Sequence, residues 1–165
     1  MLTIVLWRYS ELQQTEHLNK EFKFASGQVV NNIHSRIEGY ETVMRGIRGY
    51  FQASENVSFS EFKQYVKDLH IDKKKTGIQG IGIVERIPHT QKNQHIEYVR
   101  KWQLKDYRIK PQGNRDFYAP IVRMEPMLDD NLNAIGFDVF TVPSARLAMG
   151  KSVDVDNITI TSPIS

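Results

Sequence analysis

Asp138 is the acid best placed to do chemistry in this chain. It stands in Ile135-Gly136-Phe137-Asp138-Val139-Phe140, with apolar neighbours on both sides. A carboxylate in such a setting is either at a strand edge with its head in water or buried with a partner. The stretch that leads to it, Asn114–Asp138, opens on a turn at Gly113-Asn114 and runs through a β-like segment, Phe117–Met124. It breaks at Pro126 and crosses a polar loop, Asp129–Asn133. A strand, a loop and one acid in an apolar setting are the makings of a small-ligand pocket.

Other motifs promise chemistry and lack its context. Ala145–Ser152, ARLAMGKS, is one residue from a phosphate-binding loop. That loop needs a strand before it and a helix starting at Gly-Lys-Ser, whereas here a helix precedes Gly150. Asp129-Asp130-Asn131-Leu132-Asn133 has the acids of a calcium loop, but Ala134 and Phe140 stand where its glycine and glutamate belong. Gly77–Gly82 enters a strand rather than leaving one for a helix, so it is no dinucleotide fingerprint. The five histidines show no ligand spacing, and His95-x-Glu97 lacks the cysteine pairs of a zinc deaminase. Asn56-Val57-Ser58 and Asn157-Ile158-Thr159 are sequons, meaningful only in a eukaryotic secretory setting. No nucleophile, base and orienter come together. The chain is read as non-enzymatic, with no catalytic residue, no metal site and no cofactor.

Composition narrows the classes further. The 165 residues are 40% hydrophobic and 25% charged, enough for one domain with a real core. With no cysteine, disulfides and a thiol nucleophile are excluded. Net charge is only +3, with cations scattered among acids, so no nucleic-acid partner is expected. Its densest basic run, Asp72–Lys75, reads as a solvated turn. Met1–Trp7, MLTIVLW, is apolar but far short of the ~20 residues of a membrane span. It lacks the basic start and cleavage site of a signal peptide, and the end of a span is a third reading.

The elements that must position Asp138 follow from periodicity. Trp7–Phe51 contains no proline and reads as one long helix. Val30, Ile33, Ile37, Tyr40, Met44, Ile47 and Phe51 recur at alternating steps of three and four, a heptad seam. At ~1.5 Å per residue such a helix spans roughly 65 Å. It pairs with a second copy, forms a stalk, or packs its C-terminal half on its own domain. Ser58 or Ser60 caps a second helix, Ser60–Leu69, with Phe62, Tyr65, Val66 and Leu69 on one face. Gln79–Glu85 is a strand stopped by Pro88, and Thr90–Gln103 a helix with His95, Tyr98, Val99 and Trp102 on one side. Tyr107–Ile109 is extended. Ser144–Lys151 is a short helix, and Asn157–Thr161 alternates Ile158 and Ile160 inward against Thr159 and Thr161 as a half-buried strand. Strands and helices mix without a βαβ rhythm, which predicts an α+β fold, a stalk helix followed by a mainly antiparallel sheet.

From Gly77 to Pro163 the chain resembles a CHASE domain, the extracytoplasmic sensor module of histidine kinases and nucleotide cyclases. Gly80–Arg86, GIGIVER, is similar to the family's strand ending in Glu-Arg. Tyr107-Arg108-Ile109 with Pro111 and Gly113, then Arg115–Ile121, RDFYAPI, resemble its next two segments. Glu125-Pro126, Ala134–Asp138 and Arg146 follow in the family's order. The resemblance implies residues 1–7 as the tail of a membrane helix, 8–55 as a dimerising stalk and 56–165 as a PAS-like sensor domain, incomplete at its C terminus. It implies a homodimer, attachment to the inner membrane through flanking spans, a periplasmic location and a cytoplasmic output enzyme.

Plant members of the family bind cytokinins, and the resemblance assigns roles on that basis. Asp138 matches the acid that recognises the adenine, and Ile160 matches the residue whose backbone assists it, just before Thr161-Ser162-Pro163. Tyr118 and Val122 supply apolar walls. The ligand-binding set is therefore Asp138, Ile160, Thr161, Tyr118 and Val122, with a small molecule, a heterocycle among the candidates, as partner. The family has a glycine where this chain reads Ser152–Asp156; Asp156 or Asn157 is left to take the left-handed turn. On this reading Asp138→Ala weakens ligand binding and leaves folding intact. A scaffold with no ligand and a small enzyme are the competing readings, the latter needing a cleft where a histidine meets a carboxylate or hydroxyl.

Overall fold

The computed structural model describes residues 2–71, 77–102 and 104–163, so the basic run at Asp72–Lys75 lies outside the described residues. The chain divides into two compact units, Met1–Ile47 and Arg48–Ser165. The first is helix α1, which as a whole extends over Leu2–Gln52 and so continues through Trp7 without a break. Its surface has ion pairs one turn apart, Glu41 with Arg45 at 2.7 Å and Glu21 with His17 at 3.3 Å. The heptad positions Val30, Ile33, Ile37 and Met44 are exposed. Among the described residues no helix is long and apolar enough to cross a membrane.

The second unit starts from a well-defined cap. Ser58 accepts the Glu61 N–H, and the Glu61 carboxylate accepts the Ser58 N–H at 2.7 Å. This capping box satisfies two donors that a helix start leaves orphaned, and it fixes helix α2 as Phe59–Asp68. Phe62 and Val66 are buried. Tyr65 stacks on Tyr50, with ring centroids 4.5 Å apart.

Two short antiparallel ribbons follow. Strand β1 (Ile81–Val84) pairs with β4 (Ile121–Glu125), placing Ile81 opposite Glu125 and Ile83 opposite Arg123. Strand β2 (Ile87–Pro88) pairs with β3 (Phe117–Tyr118). The expected single strand Phe117–Met124 is thus two, parted at Ala119-Pro120. Proline supplies no ladder N–H there, and the Pro120 carbonyl instead accepts the Glu85 N–H at 3.2 Å. Pro88 does not stop the first strand, which ends at Val84, but is the last residue of β2, where its missing N–H is tolerated.

Helix α3 (Lys92–Trp102) follows a 3-10 turn, His89–Gln91, and buries His95 and Val99 while Tyr98 faces out. Val99 joins Ile87, Tyr107, Ile109, Tyr118 and Ile135 in the core. The polar run expected to be a loop is helix α4 (Asp129–Ala134). No glycine or proline interrupts it, and the Asn131 carboxamide fastens it by donating to the Gln79 and Pro126 carbonyls, each at 3.0 Å. Helix α5 (Pro143–Val155) opens on a proline pre-set for the first turn. It runs through Gly150-Lys151-Ser152, which confirms that no phosphate loop forms there. It ends on Asp156 at φ 48°, the left-handed turn the sequence left to Asp156 or Asn157.

The expected strand Asn157–Thr161 is not a strand. The segment alternates, but with Thr159 and Thr161 inward and Ile158 and Ile160 outward. Among the described residues it has no strand partner. Its bonds go to α5 instead: Thr159 Oγ1 donates to the Ala148 carbonyl at 2.6 Å, and Ser152 Oγ donates to the Asn157 carbonyl at 2.6 Å. The architecture is α+β, a long N-terminal helix and small antiparallel ribbons with helices.

Candidate functional site

Gly136-Phe137-Asp138 is threaded between two backbone segments. The Asp138 N–H donates to the Lys110 carbonyl at 2.7 Å, and the Lys110 N–H to the Gly136 carbonyl at 2.8 Å. On the other side the Gly136 N–H donates to Ile121 O and the Ile121 N–H to Phe137 O. Only glycine fits at 136: its φ is +81°, and a Cβ there would lie 2.1 Å from the Arg108 carbonyl oxygen. This close approach draws the acid into the interior.

Asp138 is 0% exposed. Its Oδ1 accepts two backbone N–H bonds, from Ala119 at 3.0 Å and from Phe140 at 3.2 Å. It thereby caps the 3-10 turn Val139–Thr141 and clamps it to Ala119, in the break between β3 and β4. Its Oδ2 is sealed from solvent without a hydrogen bond, and faces Arg115 Nε at 3.5 Å. Arg115 is itself held by the Pro111 carbonyl at 2.7 Å and lies over the Tyr118 ring. The sequence reading had Arg115 in a motif but not in the site. The sequence signal was the position of this arginine three residues before Tyr118.

The five expected ligand residues fall into two groups. Tyr118 is 0% exposed and Val122 is buried. The Tyr118 hydroxyl donates to the Gly113 carbonyl at 2.9 Å, so both ends of this side chain are engaged. Ile160 and Thr161 instead line a groove along α5 with Leu147, Ala148 and Lys151. Asp138, Tyr118 and Val122 do not line that groove. The structure brings Asp138 and Tyr118 together through Arg115, and does not join them to Ile160 and Thr161.

The family model described as CHASE domain matches residues 55–165, about two thirds of the chain. The chain belongs to the CHASE domain family. The segments that resembled it, from Gly80 to Asp138, are the ones that build the two ribbons and the clamp. CHASE domains are sensory domains of signalling receptors, generally extracytoplasmic, and are not themselves catalytic. Comparison with curated proteins gives no match.

One histidine in this CHASE domain does meet both a carboxylate and a hydroxyl. His95 Nε2 is 3.0 Å from the Tyr107 hydroxyl, and His95 Nδ1 is 3.7 Å from Glu85 Oε2. His95 is buried, 8% exposed. Burial holds the His95 pKa below its ordinary 6.5. Burial, and then the Glu85 charge, pushes the Tyr107 phenol well up, and burial raises Glu85 against the opposing Arg123 charge. A depressed histidine pKa means that the unfolded chain binds the proton first, so stability is present above about pH 6.5 and falls as pH drops below it. Glu85 has the opposite sign: its raised pKa favours the folded state at low pH, and that advantage is lost as pH rises past 4.5 and through the folded value. Thermal midpoints at pH 7.5 and 5.5, compared between the wild type and His95→Gln, read the histidine's share. The fall on acidification should be smaller in His95→Gln, which keeps a hydrogen-bonding group for Tyr107. An equal fall in both proteins would remove His95 as the cause.

Proposed function

We propose that this chain is the small-ligand sensor of a transmembrane receptor of the histidine kinase or diguanylate cyclase type. It is PAS-like, lies on the periplasmic side of the membrane, and passes ligand binding through a dimeric stalk to a cytoplasmic output domain. The ligand is read by Asp138, against walls supplied by Tyr118 and Val122, while Ile160 and Thr161, the other two residues of the expected set, line a separate groove along α5. A flat N–H-bearing heterocycle suits a carboxylate acceptor of this kind.

The observation that carries the reading is the Oδ2 of Asp138. Buried acceptors are nearly always hydrogen-bonded, and this one has only a cation at 3.5 Å. A ligand N–H would complete it. Arg115 touches Asp138 and also lines a groove with His89, Asn114 and Asp116. Entry therefore proceeds by displacement of the Arg115 side chain, which couples binding to a change in the loop. A ligand that binds one stalk arrangement better than another shifts the equilibrium between them.

The test is a thermal-shift series with purines on the wild type and on Asp138→Asn. A purine at ~100 times its dissociation constant adds about 2.7 kcal/mol to the wild type, with a much smaller shift in the variant. Equal shifts in both proteins would place the ligand elsewhere, and no shift with any purine would leave Asp138 a structural clamp.

A further inference from the structure

A second site stands on the opposite side of the β1–β4 ribbon from the α3 core. Residues paired across antiparallel strands share a face. Ile81 and Glu125 are such a pair, and Ile83 and Arg123 are the next on that face. Met124, between them, turns the other way and packs on the core of Val99 and Tyr107. The face with Glu125 is covered by α2. Between α2 and the ribbon lies a cavity of about 460 Å³, within the range of small-ligand pockets.

The chemistry of its lining is specific. Val66, Ile71, Ile78 and Ile81 form apolar walls. Glu125 also lines the cavity and is 7% exposed. Among the described residues, no hydrogen bond or ion pair reaches its carboxylate. Arg123, two residues earlier, is not its partner: its guanidinium is held by the rings of Phe59 and Phe51, at 4.6 and 5.6 Å. Unlike Asp138 Oδ2, the Glu125 oxygens are not sealed. A carboxylate this deep and without a partner is costly unless something donates to it. Lys63 and Lys67, one turn apart on α2, line the same cavity, and neither has a carboxylate partner among the described residues. The wall is fixed in advance, because Asn131 ties together the carbonyls of Gln79 and Pro126, both lining residues.

We propose that this cavity binds a small zwitterion with an apolar body, of the apolar amino acid class, its ammonium on Glu125 and its carboxylate at Lys63 and Lys67. A simple amine would meet two unneutralised lysines, and a simple carboxylate would meet Glu125. Only a molecule with both charges satisfies both ends, with its body against the four apolar side chains. The site is independent of Asp138.

Calorimetric titration of the chain at pH 7.5 with L-leucine, L-phenylalanine, 2-phenylethylamine and 3-phenylpropionate tests it. At least one of the two amino acids binds the wild type, and both single-charge analogues bind at least tenfold more weakly than the tighter-binding amino acid. Glu125→Gln weakens the amino acid at least tenfold, equivalent to about 1.4 kcal/mol. Because it removes an unpartnered buried charge, Glu125→Gln also leaves the thermal midpoint unchanged or higher, where a structural ion pair would lower it. Lys63→Glu with Lys67→Glu, both exposed, weakens the amino acid likewise and strengthens 2-phenylethylamine. The proposal is overturned by no binding of either amino acid at about 10 mM, or by equal binding in Glu125→Gln. Binding lost in Asp138→Asn but kept in Glu125→Gln would move the amino acid to the Asp138 site and overturn it too.

Discussion

Asp138→Ala lowers the stability of the sensor unit by about 2–6 kcal/mol, while Asp138→Asn, which keeps the Oδ1 acceptor, costs less. The difference lies in one oxygen. Oδ1 accepts the N–H groups of Ala119 and Phe140 in a fully buried setting. Alanine leaves both donors unpaired, at ~1–3 kcal/mol each. Asparagine keeps an oxygen there and replaces the carboxylate oxygen facing Arg115 by a neutral amide nitrogen. Asparagine leaves no buried carboxylate without a partner, and the Arg115 side chain, a quarter exposed and held by the Pro111 carbonyl, keeps its charge solvated. Denaturant midpoints with an unchanged slope measure the cost directly. This revises the expectation that Asp138→Ala leaves folding intact, so asparagine is the variant that can test ligand binding. An Asp138→Ala protein as stable as wild type would show that the two backbone bonds hold nothing together.

What the sequence made legible was local. The α1 seam, the α2 cap at Ser58 and the left-handed turn at Asp156 each depend on residues within a few positions of one another. The acid at 138 was legible as either solvated or buried, and its burial was decided by Lys110 and Ile121, 28 and 17 residues away in sequence. The clamp could not be read, because the donors of Ala119 and Phe140 are backbone groups that every residue has. The inward face of Asn157–Thr161 was assigned wrongly for a related reason. A period of two predicts alternation but not which side is buried, and here α5 offers Thr159 a carbonyl instead of a sheet offering Ile160 a neighbour. Ile160 is 74% exposed as a result.

Glu125 shows the same limit more sharply. In the sequence it was only the residue before Pro126, one piece of a family motif. Its position opposite Ile81 follows from the β1–β4 register, and register is a tertiary fact. Two acids of this domain, Asp138 and Glu125, are therefore buried by pairing that no local pattern announced. One is half satisfied by backbone and the other by nothing among the described residues. Such groups are retained at the cost of stability, and the variants above separate the clamp from the two proposed ligand sites.

In the proposed stalk dimer, replacing Ile33 and Ile37 together by lysine is expected to leave a monomer. Both lie on the heptad seam of α1 and are 51% and 39% exposed in the single chain. Val30 and Met44 extend the same stripe. A long helix with an apolar stripe in water draws little stability from propensity alone and needs a partner for that face. Burying the exposed half of each isoleucine contributes about 1 kcal/mol, so four across a dimer contribute about 4 kcal/mol. Four lysines on the same seam add like-charge repulsion, and the total loosens the dimer by well over a factor of 10³. Sedimentation equilibrium on both proteins reads the result as mass. A wild type that is monomeric at about 100 μM, equivalent to less than about 5.5 kcal/mol of association, would remove the stalk as the route by which the sensor reports its ligand. A dimer that survives both lysines would place the interface away from the heptad seam.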